Sequence, residues 1–203
     1  MMYKLSLFML ALFLTSPLLA QKHQYKSSET KVILTIQLEY LKAEAKSKNK
    51  TMKLPIRNEQ GTSEFDAKTG QITFSLPLNG FKFQKESLQK SFDSAPIVKG
   101  NKDPYVTFKG RILNFKRRKL RKSGVLQVML EGDLTMRGVT KPIKAAGTLI
   151  PLKSGQIKGN AQFEIPDASA FASNAEEQKG LTEEVKVMVK ADVEVTYDKK
   201  KKK

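Results

Sequence analysis

The chain has 203 residues, a formal charge of +17, no cysteine, no tryptophan and a single histidine, His23. That length suits one domain with a real core. The composition excludes disulfides, thiol chemistry and any centre built on several histidines, so HExxH-type zinc catalysis has no ligands and a Ser-His-Asp triad would depend on His23 alone.

Residues 1–20 open with a short charged region ending at Lys4. An apolar run from Leu5 to Leu14 follows, then Thr15-Ser16-Pro17-Leu18-Leu19-Ala20. The run is too short to span a bilayer comfortably, and its tail is small and turn-prone. It reads as a secretory signal peptide cut after Ala20. Without cysteine the usual bacterial lipoprotein anchor is impossible. Cleavage removes one charged residue, Lys4, and lowers the charge by one to +16. Such an excess favours anionic partners, and export removes nucleic acid from among them.

From about residue 30 the chain reads in period two. Val32, Leu34, Ile36, Leu38 and Tyr40 alternate with polar neighbours, as do Ile72, Phe74, Leu76 and Leu78. Lys68-Thr69-Gly70 between these sets, and Glu59-Gln60-Gly61 before it, read as hairpin loops whose glycine takes positive φ. Gln84 to Ser94 breaks the alternation with Leu88 and Phe92 four apart, which predicts a short helix. Val106, Phe108 and Ile112 resume the strand pattern. A basic stretch follows, with Lys109, Arg111, Lys116, Arg117, Arg118, Lys119 and Arg121, and ends in Lys122-Ser123-Gly124. It fits a solvated hairpin tip, or a surface that attracts anions.

Leu126, Val128, Leu130, Leu134 and Met136 form the next set. In Arg137-Gly138-Val139-Thr140-Lys141-Pro142, Gly138 is expected to supply the turn and Pro142 the first residue of the returning strand. After Lys153-Ser154-Gly155 come Ile157, Ala161, Phe163 and Ile165. Asp167 to Gly180 is alanine-rich and polar, and reads as a helical or mobile connection. Val185 through Tyr197 gives the cleanest alternation, and Lys199–Lys203 reads as a solvated basic tail. Eight or nine antiparallel strands, apolar on one face, fit a β-sandwich or a closed barrel. Closure removes exposed edges, and eight strands leave room for side chains or one slender ligand.

Ser28-Glu29-Thr30-Lys31, Ser47-Lys48-Asn49 and Lys68-Thr69-Gly70 match in order the SxxK, SxN and KTG triplets of penicillin-binding enzymes. That chemistry needs its serine and lysine on a buried helix. Here Ser28 precedes a strand, and lysine-rich sequence produces such triplets by chance. The phenylalanines Phe74, Phe81, Phe83, Phe92, Phe108 and Phe115 fit either plain packing or the wall of an apolar pocket.

"GDLTMRGVTKPI", Gly132–Ile143, resembles the G-x-LT-x-x-GVT-x-P signature of the YceI-like family of exported lipid-binding proteins. Upstream, Thr69–Ile112 is similar to the family's strand, short helix and P-x-x-x-F-x-G strand, here Pro104–Gly110. The resemblance covers roughly residues 30–197. It implies an all-β, antiparallel lipocalin-like barrel of about eight strands with one or two short helices, filling residues 21–198, with residues 199–203 as tail. It also implies a long apolar cavity for a polyisoprenoid or isoprenoid-quinone chain. Carried onto this sequence, Phe74, Leu76, Phe108, Leu134 and Met136 become pocket wall, and Phe81, Phe83, Leu88 and Phe92 cover its mouth or plug the core. Two positions depart from the family pattern. Ser91 stands where many relatives carry histidine, and an acidic, alanine-rich insert follows Asp167–Phe171.

The expectation is therefore a non-enzymatic periplasmic binding protein for an isoprenoid or other long-chain lipid. No cofactor is expected beyond the bound lipid, and no metal. Arg111, Arg117, Arg118 and Arg121 are the head-group or anionic-surface residues. The alternative is a packed barrel whose basic surface meets anionic membranes or glycans. The oligomeric state is left open, a dimer included.

Overall fold

The computed structural model describes residues 23–40, 54–94, 104–121, 124–167, 171 and 185–200. The strands are β1 (Gln24–Tyr40), β2 (Leu54–Asn58), β3 (Thr62–Asp66), β4 (Gln71–Pro77), β5 (Tyr105–Ile112), β6 (Leu126–Met136), β7 (Val139–Pro151), β8 (Ile157–Ile165) and β9 (Val185–Lys199). One α-helix, α1 (Glu86–Ser94), lies between β4 and β5, and a 3-10 turn, Arg117–Arg121, between β5 and β6. Every strand pairing is antiparallel, and eight strands close in the order β1-β3-β4-β5-β6-β7-β8-β9. The β9–β1 seam is the longest pairing, from Tyr25↔Lys199 to Tyr40↔Val185, with one irregularity at Ser27/Glu29. Closure leaves no free sheet edge along the seam.

β2 is the ninth strand and lies outside the ring. It continues the line of β3 along β1, from Ile36↔Leu54 to Gln24↔Asp66, with no net shift of register across Glu59-Gln60-Gly61. The break is imposed by Asn58, whose side chain is fully buried. Its Oδ1 accepts the Gln60 N–H at 2.9 Å and its Nδ2 donates to the Pro77 carbonyl at 2.8 Å. β4 therefore leaves β3 at Ser75↔Thr62, and Phe81-Lys82-Phe83 fills the wall beside β2. Arg57 and Lys82 exchange both backbone hydrogen bonds, at 3.1 and 2.7 Å. Gly61 does not take the positive φ expected of a turn glycine, whereas Gly70, Gly124 and Gly155 do.

Met136 pairs with Val139, so Arg137 and Gly138 are the whole loop, with φ of 56° and 77°. This is the mirror-image turn that matches strand twist. The returning strand thus begins at Val139, not at Pro142, which lies opposite Asp133 within β7. β8 joins β7 only from Ala146 onward, so the proline sits where β7 has a free edge and a missing N–H is tolerated.

Gly110 and Gly132 face each other on β5 and β6 with inward parity. The Phe108 ring lies across both. A Cβ on Gly110 would come within 2.4 Å of Phe108 Cζ, and one on Gly132 within 2.8 Å of Phe108 Cε2. Bare backbone at these two positions is what lets the ring lie along the inner wall.

Strand polarity gives the barrel two distinct ends. One carries the turns after β3, β5 and β7, including Phe115 and Arg117–Arg121. The other carries α1 and the Arg137-Gly138 loop. β9 runs through Lys199, and Lys200 remains fixed by its N–H to the Gln24 carbonyl and its Nζ to Glu64, both at 2.9 Å. The basic segment is thus tied down over its first two residues. Residues 1–20, Ser47–Asn49 and most of the 167–180 insert lie outside the described residues, but Phe171 of that insert is buried against the main core. Ser28 lies on β1 and Lys68-Thr69-Gly70 is a hairpin turn, so no buried helix carries an SxxK serine at Ser28.

Candidate functional site: an apolar cavity

A cavity of about 330 Å³ runs inside the barrel. Eight of the nine residues expected at the pocket or its mouth, Phe74, Leu76, Phe81, Phe83, Phe92, Phe108, Leu134 and Met136, line it together, whereas Leu88, half-buried on α1, does not. Alternation explains why. Inward positions of β4, β5 and β6 share one parity, and Phe74↔Phe108↔Leu134 form one register row across the three strands. Sequence reasoning did not single out the opposite wall, where Val32, Leu34 and Ile36 of β1 and Val189, Ala191 and Val193 of β9 line the cavity. The signal was present in the same alternation, but nothing in a single strand says which neighbour it will face.

Among the described residues no charged side chain lines the cavity. Its polar residues include Ser63 and Tyr197, which form a floor. Ser63 Oγ donates to the Thr73 carbonyl at 2.8 Å, so the Tyr197 hydroxyl, also 2.8 Å away, donates to Ser63 Oγ. Burial pushes the Tyr197 phenol up to about 12, so it is neutral at physiological pH. Behind the floor Phe65 is wholly buried. Its ring meets Tyr25 at 6.1 Å and Phe115 and Tyr197 at 5.8 Å each. This aromatic plug closes the Phe115 end. Phe115 is therefore plug, not pocket wall.

The α1 end is built differently. Phe92 of α1 meets Phe81 at 6.1 Å, edge on, and Phe83 at 5.0 Å. Phe81 is buried, while Phe83 and Phe92 are half-exposed. α1 itself buries no residue. It is latched by Gln89, whose Oε1 accepts the Phe83 N–H at 2.9 Å and whose Nε2 reaches the Phe81 carbonyl at 3.2 Å. Ser91 turns away from the cavity, and its hydroxyl bonds back to the Ser87 carbonyl at 3.0 Å. A helix held by one glutamine and one ring is the weakest closure on the barrel, and it marks the mouth.

The four arginines expected at a head group do not gather there. Arg111 has outward parity on β5, and its Nη2 and Nε both donate to Glu131 Oε1, at 3.0 and 3.2 Å. It borders a depression of about 900 Å³ on the outer wall in which cations and carboxylates alternate across the register. Arg117, Arg118 and Arg121 stand at the Phe115 end, behind the plug. The basic run follows β5 in sequence, and β5 points away from the mouth.

The molecule is thus a closed, lipocalin-like antiparallel barrel around one uncharged apolar cavity. The YceI-like domain model matches residues 25–199, and the chain belongs to that family. Solved structures with the same fold include a polyisoprenoid-binding domain from Saccharophagus degradans implicated in plant cell wall breakdown. It is 11% identical, with a TM-score of 0.65 over 87% of this chain and 98% of that one. A YceI protein from Campylobacter jejuni is 15% identical, with a TM-score of 0.52 over 81% and 99% of the two chains. No curated protein sequence matches the chain.

Proposed function

We propose that the protein is a non-enzymatic periplasmic carrier that holds one apolar lipid chain, of polyisoprenoid or isoprenoid-quinone class, inside the barrel. The observation that carries this reading is the cavity wall, which is apolar except for two hydrogen-bonded pairs of uncharged residues, Ser63 with Tyr197 and Thr148 with Asn160. Such a surface offers a hydrocarbon chain little to desolvate, and each buried CH₂ contributes roughly 0.8 kcal/mol before ordering costs are subtracted. Membership in the YceI-like family supports the same class of ligand, since the Saccharophagus degradans domain of that fold binds polyisoprenoid. The leader at residues 1–20 supports export.

A volume of about 330 Å³ lies at the low end for ligand pockets. One slender chain fits, and a longer one extends out at the α1 end once the Phe83–Phe92 contact opens. Its head then lies outside the barrel at the α1 end. Organic extraction of the purified protein followed by mass spectrometry tests the reading. A prenyl lipid in the extract, absent from a Phe108→Asp variant that keeps its β-sheet circular dichroism, is the expected result. Protein that yields no lipid and takes none up from prenol or quinone dispersions would refute it.

A further inference from the structure

The Phe115 end carries a surface that the cavity does not use. Four large hydrophobic side chains are exposed among the described residues, and three of them, Val125 (59%), Met129 (46%) and Leu152 (39%), are on β6, β7 and their extensions toward this end. Val125 immediately precedes β6 and Leu152 immediately follows β7. Leu126 pairs with Leu149, so both residues stand on one rim. Met129 lies on the outward face of β6, next to the inward Leu130.

The 3-10 turn packs against β7 beside this rim. Its Leu120 is turned into the core, which leaves the flanking cations outside. Among the described residues no carboxylate pairs with Arg117, Arg118, Lys119 or Arg121, whereas Arg111, Lys190 and Lys200 are paired. Lys68, Lys116 and Lys153 belong to the same end. Two carboxylates that could offset them are engaged locally. Asp66 accepts the Lys68 N–H at 2.7 Å, and Asp198 accepts from Gln156 Nε2 at 2.9 Å.

Unpaired cations alone would fit any polyanion. Aliphatic side chains exposed among them have no use against a hydrated polyanion, because they gain nothing by staying in water. A bilayer with anionic lipids offers both parts of the match: phosphates for the arginines, and an acyl boundary for Val125, Met129 and Leu152. We propose that the Phe115 end, centred on Arg118, Arg121, Val125 and Leu152, is a docking face for an anionic membrane surface. Docked this way, the barrel turns its α1 end away from that membrane. The inference stands independently of what the cavity holds.

The test is sedimentation with vesicles, using residues 21–203, which hold every strand of the barrel. Vesicles of phosphatidylcholine with phosphatidylglycerol should bind the protein, pure phosphatidylcholine should not, and added salt should weaken the binding. Arg118→Glu with Arg121→Glu should reduce binding at least tenfold. Val125→Ser with Leu152→Ser, at unchanged charge, should reduce it severalfold. Lys82→Glu with Lys85→Glu, an equal change of charge at the α1 end, should alter it less than twofold. Equal losses from the two charge-reversed pairs would overturn the proposal in favour of diffuse net charge. An unaffected Val125/Leu152 pair would overturn it in favour of a purely polyanionic partner. A folded Phe108→Asp variant should bind vesicles normally, which separates this face from the cavity.

Discussion

The hydroxyls of Ser63 on β3 and Tyr197 on β9 lie 2.8 Å apart, although β1 stands between their strands in the sheet. The contact passes under β1 where its register is irregular, and the Ser63 N–H turns to the Ser27 side chain at 2.8 Å. One buried pair thus ties together three strands beside the plugged end and gives the cavity its floor.

Folding holds the Tyr197 phenol neutral, with its pKa pushed up to about 12 by burial, against roughly 10 in the unfolded chain. Its contribution is intact below pH 10 and is lost as pH rises from about 10 toward about 12, a loss on the order of 2–3 kcal/mol once titration is complete. Tyr197→Phe should cost about 1 kcal/mol near neutrality and should remove that share of the alkaline loss. Urea unfolding of both proteins across this range measures it, with absorbance at the phenolate band as a second readout. Equal alkaline slopes would exclude Tyr197 as the group responsible.

Gly110→Ala tests the close packing of the inner wall. The new methyl would lie 2.4 Å from both the Glu131 carbonyl oxygen and Phe108 Cζ. The ring can swing into the cavity, but the carbonyl belongs to the β5–β6 ladder and cannot move without loosening it. Destabilisation of about 1–3 kcal/mol or more is expected, together with reduced lipid capacity. Phe108→Ala relieves the ring clash alone, so the double variant should lose less than the sum of the two single losses but more than Phe108→Ala by itself.

Much of this was legible in the sequence, because a half-buried antiparallel strand writes its inward face into every second residue. The parity of Phe74, Leu76, Phe108, Leu134 and Met136 put each on the apolar face of its strand, and the family resemblance made that face a pocket wall. Closure was a different matter, since it depends on β1 meeting β9 through a register that neither strand specifies alone. Pro142 was misplaced because a proline suggests a strand start, while the Arg137-Gly138 loop is complete in two residues and a free edge accommodates the proline further along. Where the arginines stand is a matter of direction. Composition shows that charge is clustered, but only strand polarity shows that the cluster lies at the end opposite the mouth. Asn58 gave no signal at all, since a buried asparagine that ends a strand looks like any other polar residue at the start of a turn.

Gln89→Ala tests the mouth. It removes the acceptor for the Phe83 N–H and the donor to the Phe81 carbonyl, and leaves α1 held chiefly by the Phe92 contacts. Because α1 buries no residue, global stability should fall by no more than about 1 kcal/mol. Release of a fluorescent prenyl or fatty-acyl probe, followed by stopped flow, should become severalfold faster. If release is unchanged while Ala161→Phe, which narrows the cavity, abolishes loading, then ligand leaves by another route and α1 is a fixed wall.

Asn58→Ala probes the corner where β4 parts from β2. The substitution removes a fully buried amide and strands two partners, the Gln60 N–H and the Pro77 carbonyl. Leaving such groups unsatisfied costs about 1–3 kcal/mol each, so a total loss of about 2–6 kcal/mol is expected. Asn58→Asp should be nearly as damaging: the carboxylate keeps the acceptor for Gln60 but turns the donor to Pro77 into a repelling oxygen, at a fully buried position. The damage should also be local. Gly80 packs against this amide, with its Cβ position 2.8 Å from both Asn58 side-chain heteroatoms, so loosening the corner frees Phe81 and Phe83 before it disturbs β5–β9. Hydrogen exchange should therefore quicken first at Arg57, Lys82 and Phe83, while the amides of β6 and β7 keep their protection. Uniform loss of protection around the ring would mean that the barrel yields as one unit and that Asn58 has no special hold on its mouth.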